Sequence, residues 1–125
     1  MPQDYAEAVK WYRLAADQGL SNAQLDLGNI YYYGKGVPQD YAEAVKWYRL
    51  AADQGELPAQ FQLGIMCFLG KGVPHDIVHA YMWFKLGEAN GDLGAAAFRA
   101  MVAERMTPWQ IAEAQKLTRE WKPTK

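Results

Sequence analysis

The sequence has little of what several common functional sites require. Its 125 residues contain one cysteine, Cys67, so neither an intrachain disulfide nor a cysteine-rich zinc site can form. Ser21 is the only serine, and it lies in neither the Gly-x-Ser-x-Gly nor the Ser-x-x-Lys pattern of serine nucleophiles. We therefore predict that the chain is not an enzyme.

An excess of charge of one sign is also lacking, since 13 Lys and Arg stand against 14 Asp and Glu. Nucleic-acid binders need a basic excess to neutralise phosphates, so we expect no nucleic-acid partner. No apolar run approaches the roughly 20 residues that span a bilayer, and residues 1–5 do not begin a signal peptide. We expect a soluble chain without membrane insertion, and the sequence does not indicate its compartment.

What the sequence has in quantity is aromatic residues, 14% of the chain, and an internal repeat explains most of them. Residues 2–19 and 38–55 are identical at all eighteen positions, at an offset of 36. Residues 20–37 and 56–73 continue the register with ten differences, and a weaker third copy begins at Pro74. A fixed period of this size is typical of a repeat array.

Each period contains two helical segments. In residues 40–54 the apolar positions recur at i, i+3, i+4, i+7 and i+8, Asp40 and Glu43 fit a capping box, and Gly55 fits the C′ position. The other segment, 21–33, ends before Gly34. The predicted elements are A helices at 21–33, 57–69 and about 93–105, B helices at 4–18, 40–54 and 76–89, and a last helix that begins after Thr107, the N-cap of a Thr-Pro-Trp-Gln start.

These elements predict an all-α fold: an α/α superhelical solenoid of antiparallel helix pairs with a C-terminal capping helix. We expect one domain over residues 1–125. Its predicted parts are a half repeat (2–19), two repeats (20–55 and 56–91) and the capping helices (92–125).

One period, from Ala23 to Gly55, reads Ala-x-x-x-Leu-Gly-x-x-Tyr-x-x-Gly-x-Gly-Val-x-x-Asp, then Ala-x-x-Trp-Tyr-x-x-Ala-Ala-x-x-Gly. Over roughly residues 2–91 the chain resembles the Sel-one-like repeat (SLR) family, a relative of the tetratricopeptide repeats. The resemblance implies a scaffold or adaptor module for protein–protein interaction, of a kind common in bacteria. A cysteine-rich subgroup is linked to β-lactam binding, and the lone Cys67 departs from it. A β-lactam-binding or hydrolysing enzyme, and a truncated or designed scaffold without a partner of its own, are the alternatives.

All ten differences between the two better copies lie within residues 20–33 and 56–69, the A helices and the residue before each, which indicates either relaxed constraint or diversification for binding. The stripe of each A helix opposite its B helix lines the concave groove in tetratricopeptide-like solenoids, by resemblance. We predict that this stripe binds a peptide or protein partner, with burial of the stripe as core the alternative. The predicted groove residues are Asn22, Leu25, Asn29, Tyr32 and Tyr33, with Phe61, Ile65, Phe68 and Leu69 one period later.

The first B helix, 4–18, has no A helix before it in the sequence. We expect its apolar positions to be half covered and to support self-association, as a homo-oligomer or by helix exchange with the identical segment 40–54. A longer protein cut at this point is the alternative. The predicted self-association residues are Ala8, Trp11, Tyr12 and Ala15.

Two further motifs have structural explanations. Gly34-Lys35-Gly36 is followed by Val and Pro rather than Ser or Thr, so it fits a helix stop and not a phosphate loop. His75 and His79 are spaced i, i+4 but have no third ligand nearby in sequence. We therefore predict no cofactor and no metal.

Overall fold

A computed structural model describes residues 4–124, which form seven α-helices and no strand. The helices are α1 (Tyr5–Asp17), α2 (Ser21–Tyr33), α3 (Tyr41–Asp53), α4 (Leu57–Leu69), α5 (Ile77–Ala89), α6 (Leu93–Ala103) and α7 (Pro108–Glu120). The predicted all-α class is confirmed. Residues 2 and 3 of the predicted half repeat lie outside the described residues.

Most helix ends follow the predicted signals. The side chains of Asp4, Asp40 and Asp76 each accept a hydrogen bond from the backbone N–H three residues on. Gly34 ends α2 in the left-handed region, with φ of 70°. Thr107 begins α7 with a complete capping box, as its spacing predicts.

Two local predictions are wrong. Around Asp40 only half of the predicted capping box is described, the bond from the N–H of Glu43. Ser21 is the first residue of α2, and its hydroxyl donates to Glu56 of the next repeat, at 3.0 Å. Helix α6 ends at Ala103, two residues before the predicted end at 105.

The helices stack in chain order, with α1 and α3 on either side of α2 and with α5 between α4 and α6. Helix α7 packs back against α5. The largest fully buried side chains include Tyr48 and Phe84, which occupy the same position of successive repeats, 36 residues apart. The core therefore runs along the array between A and B helices.

Buried glutamines fix the first two turns from a B helix to an A helix, α1 to α2 and α3 to α4. The Gln24 side-chain amide donates to the carbonyl of Ala16, and that of Gln60 donates to the carbonyl of Ala52. Each of these carbonyls lies at the end of the preceding B helix and also accepts a backbone hydrogen bond from the glycine three residues on, Gly19 or Gly55. Both glutamines are buried, and both are in repeat register.

No helix in the described range combines the length and the hydropathy that crossing a membrane requires.

Candidate partner-binding site

Three of the predicted groove residues line one open cavity of about 380 Å³. Ile65, Phe68 and Leu69 form one side of it, from the second half of α4. Phe84 of α5 and Phe98 and Met101 of α6 complete the lining, so every lining residue is apolar. We call this feature the apolar hollow. Such a surface favours an apolar side chain over water.

Phe61 forms part of the packing behind the apolar hollow. Its ring meets those of Phe84 and Phe98 edge to face, with centroids 5.7 and 5.3 Å apart. The rings of Phe84 and Phe98 are themselves stacked at 5.4 Å. Phe61 is half-buried, and these contacts make it a support of the hollow.

The corresponding part of α2 carries a tyrosine cluster. The ring of Tyr32 lies 4.9 Å from that of Tyr33 and 5.1 Å from that of Tyr41, between centroids. Leu25 is half-buried and packs against the main core. The predicted stripe therefore changes along the array, from phenolic rings on α2 to purely apolar side chains on α4.

Cationic side chains lie over the aromatic rings of this surface. The Lys35 ammonium is 5.6 Å from the Tyr33 ring centroid, and the Lys71 ammonium is 5.9 Å from that of Tyr32. The Arg105 guanidinium is 5.7 Å from that of Phe68. Within residues 4–124 none of these three cations forms an ion pair. They are therefore available to a negatively charged partner.

The structure does not bring Asn22 and Asn29 to the apolar hollow. Asn22 is exposed and lines a groove of about 330 Å³ beside Tyr12. Asn29 lines another, of about 230 Å³, with Tyr12 and Lys35. Its side-chain carbonyl also accepts a hydrogen bond from the Tyr48 hydroxyl, at 2.5 Å. These two predicted residues therefore belong to the α1–α2 side of the molecule.

Sequence reasoning missed the contribution of α6. Asn29 and Ile65 hold the same stripe position in successive repeats, and Met101 holds it one period later. Tyr33, Leu69 and Arg105 are related in the same way. Met101 lines the hollow and Arg105 covers Phe68. The same 36-residue register would have found both residues. Phe98, outside those positions, had no such signal.

The predicted self-association residues of α1 form a second surface, which we call the N-terminal face: Ala8, Trp11, Tyr12 and Ala15. Trp11 is 63% exposed, whereas Trp47, the same position of the identical helix α3, is 4% exposed. Tyr12 and the two alanines are half-buried, and their counterparts on α3 are fully buried. Trp11 is thus an exception to the repeating tryptophan core.

The Cys67 thiol is buried and protonated, and the His79 ring contacts a carboxylate. Burial raises the pKa of the Cys67 thiol to about 11, which keeps it out of the nucleophilic thiolate form at neutral pH. His79 Nδ1 lies 2.6 Å from an Asp76 oxygen. Burial opposes ionisation of Asp76, but hydrogen bonds from His79 hold the pKa of this carboxyl below its ordinary value. In the described part of the chain no group of three His, Cys, Asp or Glu could hold a metal.

Comparison with known proteins matches the family model of the Sel1 repeat to residues 1–20, 21–56 and 57–92. Among solved structures the chain is similar to a protective antigen of uropathogenic Escherichia coli strains that displays an SLR fold, with 35% identity and a TM-score of 0.90. It is also similar to a Sel1 repeat protein from Oxalobacter formigenes, with 29% identity and a TM-score of 0.76. These alignments cover 97% and 94% of this chain, but 27% and 56% of the other chains. No curated protein matches it.

Proposed function

Because the chain belongs to the Sel1 repeat family, we propose that it is a protein-interaction module whose A helices bind a peptide segment of a partner protein. Sel1 repeats are generally protein–protein interaction modules, typically without catalytic activity of their own. The observation that carries the proposal is the apolar hollow, which opens at the stripe where binding is expected from the repeat pattern.

The lining of the hollow supports an apolar anchor. A cavity of about 380 Å³ has room for a leucine or phenylalanine side chain of a partner. Burying such a side chain in an apolar site contributes about 1.5–3 kcal/mol. Leu69 at its edge is 53% exposed, and a partner that covered it would also remove this apolar surface from water.

The cations beside the stripe support acidic residues next to that anchor. Arg105 borders the hollow through Phe68, and Lys71 lies along the same surface over Tyr32. Each would form a charge-assisted hydrogen bond to a partner carboxylate without first breaking an ion pair described here. The proposed ligand is therefore a segment with a bulky apolar residue flanked by Asp or Glu.

Selection of random twelve-residue peptides on the purified chain tests this proposal. We expect selected peptides to share a bulky apolar residue with acidic neighbours, and to bind more weakly as salt increases because surface charge pairs are screened. Binding of a selected peptide is then measured by fluorescence anisotropy.

The test variant is Phe68→Ser with Leu69→Ser, which makes the hollow polar and leaves the supporting ring of Phe61 in place. We expect at least a tenfold loss of peptide affinity. The matched control is Leu50→Ser, since Leu50 is also an exposed leucine but lies on α3 and does not line the hollow. Equal binding by the double variant and the control would show that the hollow is not the binding site.

A further inference from the structure

We propose that the N-terminal face binds an α-helix carrying the pattern Ala-x-x-x-Leu-Gly-Asn. The occupant would lie across Trp11 and Tyr12 of α1, outside the apolar hollow. The inference does not depend on the proposed function of that hollow, because it rests on different residues and on a packing arrangement that the molecule itself contains.

Helix α3 shows what covers this face. Segments 2–19 and 38–55 have the same eighteen residues, so α1 presents the same side chains as α3. In the structure α2 covers α3, and Trp47 joins Ala23, Leu27 and Ile30 of α2 in one buried cluster. An identical helix surface accepts the same kind of helix. Its occupant should therefore carry alanine and leucine at the positions of Ala23 and Leu27.

The ring of Tyr12 requires a glycine opposite it. On the covered face, a Cβ added at Gly28 of α2 would lie 2.5 Å from Cδ1 of Tyr48. The next interface repeats this arrangement, because a Cβ at Gly64 would lie 2.6 Å from Cε1 of Phe84. An aromatic ring therefore packs against a glycine at both the α2–α3 and the α4–α5 interface. On the N-terminal face, Tyr12 holds the repeat position of that ring.

The residue after the glycine matches the polarity of the ring. The hydroxyl of Tyr48 donates to the side-chain carbonyl of Asn29. At the next interface the ring is Phe84, which has no hydroxyl, and the residue after the glycine is Ile65. Because the N-terminal face carries a tyrosine, Tyr12, its matched occupant has asparagine at this position. An isoleucine there would leave the Tyr12 hydroxyl without this acceptor.

Open grooves of about 230 and 330 Å³ flank the Tyr12 ring where α1 meets α2, and both are also lined by Asp26 of α2. Burial, together with the nearby charge of Glu56, raises the pKa of Asp26. On the face itself Trp11 is 63% exposed, so a docked helix has a large ring to cover.

The probe is a fluorescein-labelled peptide of residues 20–34, which contains the α2 sequence, titrated with the unlabelled full chain. Two further peptides carry Asn29→Ile or Gly28→Val. Short helices are marginal alone in water, so anisotropy is followed to millimolar concentrations of chain. We expect saturable binding of the parent peptide, about tenfold weaker binding of the Asn29→Ile peptide, and loss of binding by the Gly28→Val peptide.

Two variants of the chain locate the contact. Tyr12→Phe should abolish the preference for asparagine over isoleucine, and Trp11→Ser should weaken both peptides. Circular dichroism confirms that each variant is folded. Phe68→Ser with Leu69→Ser should leave this binding unchanged, which separates it from binding at the apolar hollow.

Several results would overturn the assignment. They are the absence of saturable binding, equal affinity of the parent and Gly28→Val peptides, and an asparagine preference that survives Tyr12→Phe. Sedimentation velocity addresses the predicted self-association. If the chain is a dimer that Trp11→Ser dissociates, and the peptide does not compete with dimerisation, the face belongs to a second copy instead.

Discussion

Replacing Gly28 with alanine tests whether the Leu-Gly pair of the repeat exists to let A and B helices touch. Gly28 lies inside α2, where alanine is favoured over glycine by about 1 kcal/mol through helix propensity. Packing opposes this gain, because the new Cβ would lie 2.5 Å from Cδ1 and 2.6 Å from Cε1 of Tyr48. Such distances require the ring or the helix to move.

The Tyr48 ring has little freedom to move. It is fully buried, and its hydroxyl donates to Asn29 at 2.5 Å. Overpacking of a filled core costs about 1–3 kcal/mol, and a contact this close to an enclosed ring belongs at the upper end. Subtracting the propensity gain leaves a net loss of about 2 kcal/mol in the free energy of unfolding, or roughly 8 °C in Tm for a chain of this size.

Gly94→Ala provides the matched control, since Gly94 is also helical but is exposed. An added Cβ there would meet only an Asp92 oxygen at 3.3 Å and Phe61 at 3.9 Å. Thermal and urea unfolding followed by circular dichroism at 222 nm should show Gly94→Ala near the wild type and Gly28→Ala clearly below it. Combining Gly28→Ala with Tyr48→Ala should remove most of the additional loss. If Gly28→Ala is as stable as the control, close helix approach is not what this glycine provides.

Two further predictions follow from perturbed titratable groups. Burial raises the pKa of Cys67 to about 11, so the native chain should react with a thiol reagent at pH 8 far more slowly than the urea-unfolded chain; equal rates would contradict its burial. Hydrogen bonds from Arg99 lower the pKa of Glu88 to about 2 from its ordinary 4.5. The stability that Glu88 contributes is therefore present above pH 4.5 and is lost as the pH falls toward 2. Urea unfolding across this pH range should show that acid lowers the free energy of unfolding of Glu88→Gln by about 1–2 kcal/mol less than that of the wild type. Identical pH profiles would contradict the contribution of this pair.

The A helices show where sequence reasoning works best. The bounds 21–33 and 57–69 are those of α2 and α4, because each helix ends at a glycine whose positive φ stops it. Helix α6 has no such glycine, and its predicted end at 105 is wrong by two residues. After Ala103 the chain instead turns so that Met106 is buried, which is a tertiary contact without a local signal.

Position in the array decides what a repeated residue does. Trp11 and Trp47 have identical neighbours in sequence over eighteen residues, yet one is 63% and the other 4% exposed, because only α3 is covered by a helix on that side. Phe61 shows the reverse effect. Its place on the stripe predicts a groove residue, but α6 brings Phe98 against it, and α6 departs from the Leu-Gly pattern of the other A helices.

The structure also narrows the meaning of the ten differences between the two better repeats. Asn29 and Ile65 differ because their ring partners differ, Tyr48 in one interface and Phe84 in the next. This divergence therefore follows the core and needs no external ligand. The exchange of Leu20 for Glu56 likewise has an internal partner, since Glu56 accepts a hydrogen bond from Ser21.

Such internal partners do not explain the end of the stripe. On α2 these last positions are Tyr32 and Tyr33, whose rings pack with cations at the surface. On α4 they are Phe68 and Leu69, which form part of the lining of the apolar hollow. Leu69 keeps 53% of its surface exposed, so its choice of side chain is not set by burial. A hypothesis of diversification for binding therefore depends on these last positions of each A helix. A substitution at the exposed Leu69 should alter which peptide binds while leaving the stability of the array within about 0.5 kcal/mol of the wild type.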